Sequence, residues 1–294
     1  MIIVRLMGGL GNQMFQYAAG RSLAMRHRTG MKLDLTFLNE RNPAAVHTHR
    51  EYELNAFNHA ATIASAGEVD AFTKSESRRV YGRLKKLIPV LPGKITFREP
   101  HFQYASEFTS AKNNSLLIGY WQSEKYFLPV EKIIREDFKF VSKVEQSEEI
   151  EKEISSGTSV SVHIRRGDYV SNREAAAYHP VCSIDYYRDA VKKIAERISN
   201  FKLFVFSDDI QWAKENLKLD FATRFVEGNS GGKNYEDMRL MSLCRHHIIA
   251  NSSFSWWGAW LNPGPEKIVI APRRWFADES INTNDLIPSG WLRL

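Results

Sequence analysis

From Ser159 onward the chain alternates short apolar runs with amphipathic ones, and no other feature limits its fold as strongly. Strands are expected over Ser159–Ile164, Lys202–Phe206, Arg224–Val226, His247–Ala250 and Lys267–Ala271, with helices over Ile184–Ile198, Ile210–Asn216, Tyr235–Leu243 and Phe254–Leu261 between them. Strands separated by helices pair in parallel, and the helices then cover both faces of the sheet. The N-terminal end repeats the theme: Ile2–Leu6 reads as a strand, Gly8–Asn12 as a tight loop, Met14–Arg26 as a helix and Met31–Leu35 as a second strand. The simplest architecture is therefore α/β, with two facing Rossmann-like domains over residues 1–140 and 141–294.

Between these halves the pattern is less regular. Helices are expected over Ile63–Thr73 and Arg78–Ile88, the latter closed by Pro89, Pro92 and Gly93, and a strand over Leu116–Tyr120. The acidic stretch Lys143–Ser156, with Val144, Ile150 and Ile154 as its sparse apolar positions, reads as an exposed helix at the domain border. A hydrophobic fraction of 43% with 25% charged residues excludes disorder. The net charge of +6 favours an anionic partner: nucleic acid, an acidic membrane surface or a phosphorylated small molecule. Cys182 and Cys244 are too few for a disulfide framework, so a reducing compartment is expected. Nothing at the start reads as a signal peptide, and no apolar run approaches the roughly 20 residues needed to span a bilayer. Arg78, Arg79, Arg83, Lys85 and Lys86 interleave with Val80, Leu84, Leu87 and Ile88, which makes 78–88 either a helix for an anionic bilayer or a solvated face over a core.

Four segments carry chemistry. Gly8-Gly9-Leu10-Gly11-Asn12-Gln13 joins a strand to a helix, so its backbone can approach a ligand and aim amides at an anion; a plain tight turn is the alternative. A dinucleotide fingerprint would need a third glycine where Met14 stands, although Asp34 lies at the expected distance for a ribose contact, which keeps an NAD-dependent oxidoreductase among the alternatives. In His163-Ile164-Arg165-Arg166-Gly167-Asp168-Tyr169, two adjacent guanidiniums leave the end of a buried strand, where their planar donor forks suit phosphate oxygens. Asp168 would orient them or take part in catalysis. Phe206-Ser207-Asp208-Asp209 ends another buried strand in carboxylates, which would accept from a ribose or a guanine, or cap the next helix. Asn251-Ser252-Ser253-Phe254 precedes an apolar helix, and its hydroxyls would cap it or meet an anion at its positive end. Trp256, Trp257 and Trp260 read as core. Cys244, His246 and His247, with Cys182 and His179, lack the spacing of a zinc site, and no Asp-x-Asp occurs, so no metal is expected.

Taken together, the segments at 8–18, 163–170, 206–209 and 251–261 resemble those of the α-1,2-fucosyltransferases of glycosyltransferase family 11, which use GDP-fucose. The resemblance implies a GT-B-type fold with the donor held mainly by the second half, inversion at the fucose anomeric carbon and no metal or other cofactor. By that likeness Arg165 would hold the β-phosphate and His163 would lie near the nucleotide, with Arg166 helping Arg165 to bind the donor and stabilise the charge of the departing diphosphate. Asp208 or Asp209 would meet guanine or ribose, while Ser252, Ser253 and Phe254 would line the diphosphate. Gly11 and Asn12 would reach toward the fucose. The general base would be Asp168 or Glu174, the latter because Arg173–Pro180 resembles the base-bearing stretch of α-1,6-fucosyltransferases with one residue inserted. The implied acceptor is a terminal β-galactoside of a glycan, lipid-linked in some settings, in a prokaryotic enzyme of the cytoplasm or the inner membrane face that builds an O-antigen or another surface glycan. The rival readings are another sugar-nucleotide-dependent transferase, the oxidoreductase and a nucleic-acid-binding protein; the last lacks any recognised motif.

Overall fold

In the computed structural model, residues 1–40, 50–80, 95–229 and 231–294 are described, the side chains of 74–80 excepted. They form two compact units. The described residues up to Lys139, together with Thr283–Leu286, make one; Phe140–Asn282 and Ile287–Leu294 make the other. The return of Thr283–Leu286 to the first unit, where residue order alone places it in the second half, has a local cause. Asp285 accepts from the Tyr104 amide at 3.1 Å and pairs with Lys125 at 2.5 Å.

The first unit comprises β1 (Ile2–Arg5), α1 (Leu10–Arg26), β2 (Met31–Asp34), α2 (Thr36–Asn39), β3 (Thr62–Ile63), α3 (Ala66–Val80), β4 (Ile95–Arg98), β5 (Ser115–Ile118) and α4 (Glu131–Asp137). Its parallel sheet has the order β3-β2-β1-β5-β4, so the chain reverses its direction of winding between β1 and β5. Ile2, Ile3 and Val4 are wholly buried, as a strand covered on both faces requires. Gly20 decides how closely α1 lies on that strand: a Cβ there would come 2.1 Å from Val4 Cγ2 and 2.9 Å from Met31 Sδ.

Two expectations are corrected in this unit. Helix α1 begins at Leu10 rather than Met14, because Gln13 and Gln16 stitch the preceding loop to it. Gln13 donates to the carbonyls of Gly8 and Glu51 at 2.9 and 2.7 Å, and Gln16 both accepts from and donates to the Met7 backbone. Ile63 is not helical: it pairs with Leu33 in β3, and the helix starts only after Ser65. Ser65 Oγ accepts from the Glu68 amide while Glu68 accepts from the Ser65 amide, a reciprocal capping box. The basic segment read over 78–88 falls outside the residues whose side chains are described.

On the rim beyond β4 and β5, one carboxylate shapes the chain. Glu99 accepts from the amides of Tyr120 and Trp121 at 2.7 and 3.0 Å, and Trp121 sits at a φ of 56°. A Cβ on Gly119 would approach Glu99 Cβ to 2.4 Å. Burial pushes the Glu99 carboxyl up to about 7 in spite of those two amides.

The second unit comprises α5 (Glu148–Ser155), β6 (Ser159–Ile164), α6 (Gly167–Ser171), α7 (Arg173–Tyr178), α8 (Ile184–Ala195), β7 (Lys202–Ser207), α9 (Ile210–Asn216), β8 (Thr223–Phe225), α10 (Tyr235–Leu243), β9 (His246–Ile248), α11 (Ser253–Leu261), β10 (Val269–Ala271) and β11 (Leu292–Arg293). Its sheet is also parallel, in the order β11-β10-β9-β6-β7-β8, and winding reverses between β6 and β9. The acidic helix α5 is exposed on one side only: Ile150 and Ile154 are buried, and Glu151 pairs with Arg239 of α10 at 2.9 Å. Trp256, Trp257 and Trp260 are buried and pack against one another, as their helical spacing implies. Among the described residues, no helix is long and apolar enough to cross a membrane.

Gly20→Ala is expected to destabilise the protein by about 1–3 kcal/mol through overpacking between α1 and β1, read from chemical denaturation. For Glu99, the folded protein keeps its proton up to about pH 7, whereas the unfolded chain loses it near the ordinary glutamate value. The folded state therefore binds more protons in that window, and stability falls as pH rises from about 4.5 to 7. Glu99→Gln should flatten this slope in urea midpoints measured at several pH values, while forfeiting one of the two amide contacts.

Candidate functional site

The site is assembled at the point where the second sheet changes its winding, the usual position for a ligand in an open α/β sheet. β6 lies between β7 and β9, with Ile164 opposite Ser207 and Val162 opposite Ile248. The residues just past these ends, Arg165–Asp168, Asp208–Asp209 and Asn251–Phe254, thus come together from three distant parts of the chain.

Asp208 organises the cluster. Its Oδ1 accepts from the Arg166 amide at 2.8 Å and its Oδ2 lies 3.1 Å from Arg165 Nη1. Asp168 Oδ1 takes Arg165 Nη2 at 2.8 Å. Burial alone would lower the Arg165 guanidinium pKa, but Asp208 and Asp168 outweigh it and the pKa is raised. Asp209 behaves differently: it caps α9 by accepting from the Trp212 amide at 3.3 Å and lies 3.5 Å from Arg166 Nη1. Arg166 also rests over the Trp212 ring, 4.5 Å from its centroid. The capping alternative thus describes Asp209 and not Asp208. Both aspartates are engaged by arginines, a pairing that the reading of them as acceptors for guanine or ribose did not include. Gly167 favours this arrangement, since a Cβ there would stand 2.9 Å from Asp208 Oδ2 and press on it.

His163 is the last inward-facing polar residue of β6. It is buried, 5.7 Å from the Phe254 ring, and its Nδ1 has no hydrogen-bond partner. Burial holds its pKa down to about 4, so the imidazole is neutral at neutral pH; Asp208 and Arg165 act on it in opposite directions. A buried ring nitrogen with no partner is a hydrogen-bonding group still open to a ligand.

Ser252 caps α11, accepting from the Phe254 amide at 3.3 Å, and is itself nearly buried. Asn251 ties the surrounding loops: its Nδ2 donates to the carbonyls of Pro180 and Trp275, and its Oδ1 accepts from Cys182. Glu174 is exposed in the first turn of α7. Asp168, by contrast, is paired with Arg165. Asp237, at the start of α10, is pushed up to about 7 by burial and accepts from Asn229 at 2.7 Å; nothing in the sequence pattern singled it out.

Gly11 and Asn12 lie in the first unit, in the opening turn of α1. Gln122, which follows β5, donates to Asn12 Oδ1 at 2.7 Å and so bridges the point where that sheet changes its winding. Asp34, the support for an NAD reading, is fully buried, pairs with Arg5 at 2.8 Å and accepts from the Thr36 amide. That commitment leaves the ribose role without a carboxylate. Among the described residues no group of three His, Cys, Asp or Glu side chains could hold a metal. His247 is bonded to Ser161 and Asn262, His246 accepts from the Ile268 amide, and the Cys244 thiol donates to the Leu240 carbonyl.

Two parallel-sheet units, one with an arginine pair at its switch point, define an α/β protein of the GT-B type. The chain belongs to glycosyl transferase family 11, whose sequence pattern matches residues 96–294. It is 38% identical over 298 residues to an α-1,2-colitosyltransferase of Escherichia coli, covering all of this chain and 98% of that one. It is 34% identical to the O-antigen biosynthesis glycosyltransferase WbnK of the same species, covering 98% and 99%. The crystal structure of the α-1,6-fucosyltransferase NodZ soaked with GDP-fucose shares the fold with a TM-score of 0.52, 18% identity and coverage of 92% and 94%. The protein is thus a glycosyltransferase.

Gly167→Ala is expected to push Asp208 away from the arginines and lower the thermal midpoint by several degrees, about 1–2 kcal/mol, without changing the secondary-structure content seen by circular dichroism.

Proposed function

We propose that this chain transfers L-fucose from GDP-β-L-fucose to the 2-hydroxyl of a terminal β-galactoside, with inversion, in the assembly of an O-antigen or similar surface glycan. The observation that carries the reading is Arg165, fixed by two carboxylates at the switch point beside the unpartnered Nδ1 of His163. Asp168 and Asp208 each engage one terminal nitrogen of Arg165. A guanidinium has about five N–H groups to offer, which leaves donors for a diphosphate.

The donor's leaving group is β and the product linkage α, so one direct displacement suffices. As the C–O bond to the diphosphate breaks, positive charge spreads over the sugar ring and negative charge grows on the departing GDP. Arg165 and Arg166, with the helix start at Ser252 and Ser253, would stabilise that charge, and Phe254 and His163 would border the donor. Asp208 and Asp209 would exchange part of their arginine contacts for the nucleoside. Gly11 and Asn12 would serve the sugar from the first unit. The proton of the acceptor hydroxyl goes to a carboxylate, either Asp168 or Glu174. Asp168 would act while paired with Arg165 through Oδ1, whereas Glu174 is exposed. No metal is assigned a step. A cytoplasmic protein touching the inner membrane face through 78–88 would meet a lipid-linked acceptor there.

A second reading is transfer of colitose from a GDP-linked donor, favoured by the 38% identity to the colitosyltransferase. Incubation with GDP-fucose and with GDP-colitose, over a panel of β-galactosides, separates the two by the mass and linkage of the product. GDP should raise the melting temperature where NAD and a short oligonucleotide do not. Arg165→Ala should reduce transfer by about 100-fold or more and weaken GDP binding. Transfer at the parent rate by that variant would overturn the donor-site assignment, and loss of the true base should spare GDP binding.

A further inference from the structure

The two carboxylates on Arg165 meet its terminal nitrogens and fix the direction in which the guanidinium reaches. The guanidinium carbon lies over an aromatic ring: Arg165 Cζ is 5.6 Å from the Tyr169 centroid, within the range of a cation–π contact. Tyr169 is buried and in turn stacked on His179, with centroids 4.8 Å apart and planes 8° from parallel. His179 packs on Phe276 at 5.4 Å, and Tyr178 closes the group against both at 4.8 and 5.0 Å.

The stack is anchored at each end. The Tyr169 hydroxyl donates to the Asn251 carbonyl at 3.1 Å, and the Asn251 side chain grips the carbonyls of Pro180 and Trp275, which flank His179 and Phe276 in sequence. The Ala277 amide donates to the Tyr178 carbonyl at 2.9 Å. None of these rings is used by the transfer chemistry above.

We propose that Tyr169 and His179 are positioning residues for Arg165, a ring stack that fixes the plane of the guanidinium presented to the donor diphosphate. A planar donor fork binds phosphate oxygens bidentately only when its plane is correct, so the stack would contribute to donor affinity without touching the donor. Burial keeps His179 neutral, with a pKa of about 4, so the stack brings no second cation against Arg165. The inference rests on the reading of Arg165 as the diphosphate residue.

The test is GDP affinity by titration calorimetry on the full chain, with His179→Phe and His179→Leu each made in the parent and in the Arg165→Ala background. His179→Phe keeps a ring and should bind GDP within about twofold of the parent, while His179→Leu should weaken binding about five- to tenfold. In the Arg165→Ala background the two should bind alike, since a residue acting through Arg165 has nothing left to position. Parent-like binding by His179→Leu, or a loss that persists undiminished without Arg165, would overturn the positioning role while leaving the donor site standing. Parent-like GDP binding by Arg165→Ala alone would overturn the donor site and this inference with it. Should His179→Leu lack a cooperative melting transition, Tyr169→Phe against Tyr169→Leu gives the same comparison: weaker binding by the leucine variant alone supports the positioning role, and equal binding by the two overturns it.

Discussion

A single carboxylate, Asp208, holds two consecutive arginines in place: one of its oxygens binds the Arg166 backbone and the other the Arg165 guanidinium. Adjacent guanidiniums repel, and this contact, with those of Asp168 and Asp209, lets both remain half-sheltered at a strand end. Gly167 is the backbone's contribution, since a Cβ there would crowd Asp208 Oδ2 at 2.9 Å. The cluster of two arginines and three aspartates carries no excess of positive charge. An incoming anion therefore competes with these carboxylates for the guanidiniums, and the overall charge of +6 is a poor guide to the local field.

The same topological device appears within each unit. In the second sheet, the reversal between β6 and β9 brings the arginines next to Asn251–Phe254. In the first, the reversal between β1 and β5 places Asn12 within a 2.7 Å hydrogen bond of Gln122. A parallel sheet leaves a crevice wherever neighbouring loops diverge in opposite directions, and polar residues from both sides fill it. Family membership and the α/β fold agree with this geometry.

Much of this was legible in the residue order. Strand β6 and helices α9 and α10 coincide with the runs read from periodicity, because each pairs a clear apolar face with flanking polar turns. Ile63 misled because two-residue strands carry no periodicity; Ser65 and Glu68, three apart, were the available mark of the true helix start. Met14 in place of a third glycine broke a fingerprint, yet the close packing such a glycine provides is present at Gly20, six residues further along. Asp34 looked free for a ribose only because its partner, Arg5, sits on the neighbouring strand.

The order of residues by itself determined two parallel-sheet halves, the buried tryptophan helix and the presence of paired arginines at a strand end. These follow from local periodicity and from which residue types tolerate burial. Tertiary structure alone decided what each charged group is bonded to: that Asp208 clasps the arginines while Asp209 caps a helix, that Asp34 is taken up by Arg5, and that Tyr169 and His179 stack beneath Arg165. Such contacts depend on strand order, register and packing; the Arg166 amide and Asp208, 42 positions apart, meet only because β6 pairs with β7.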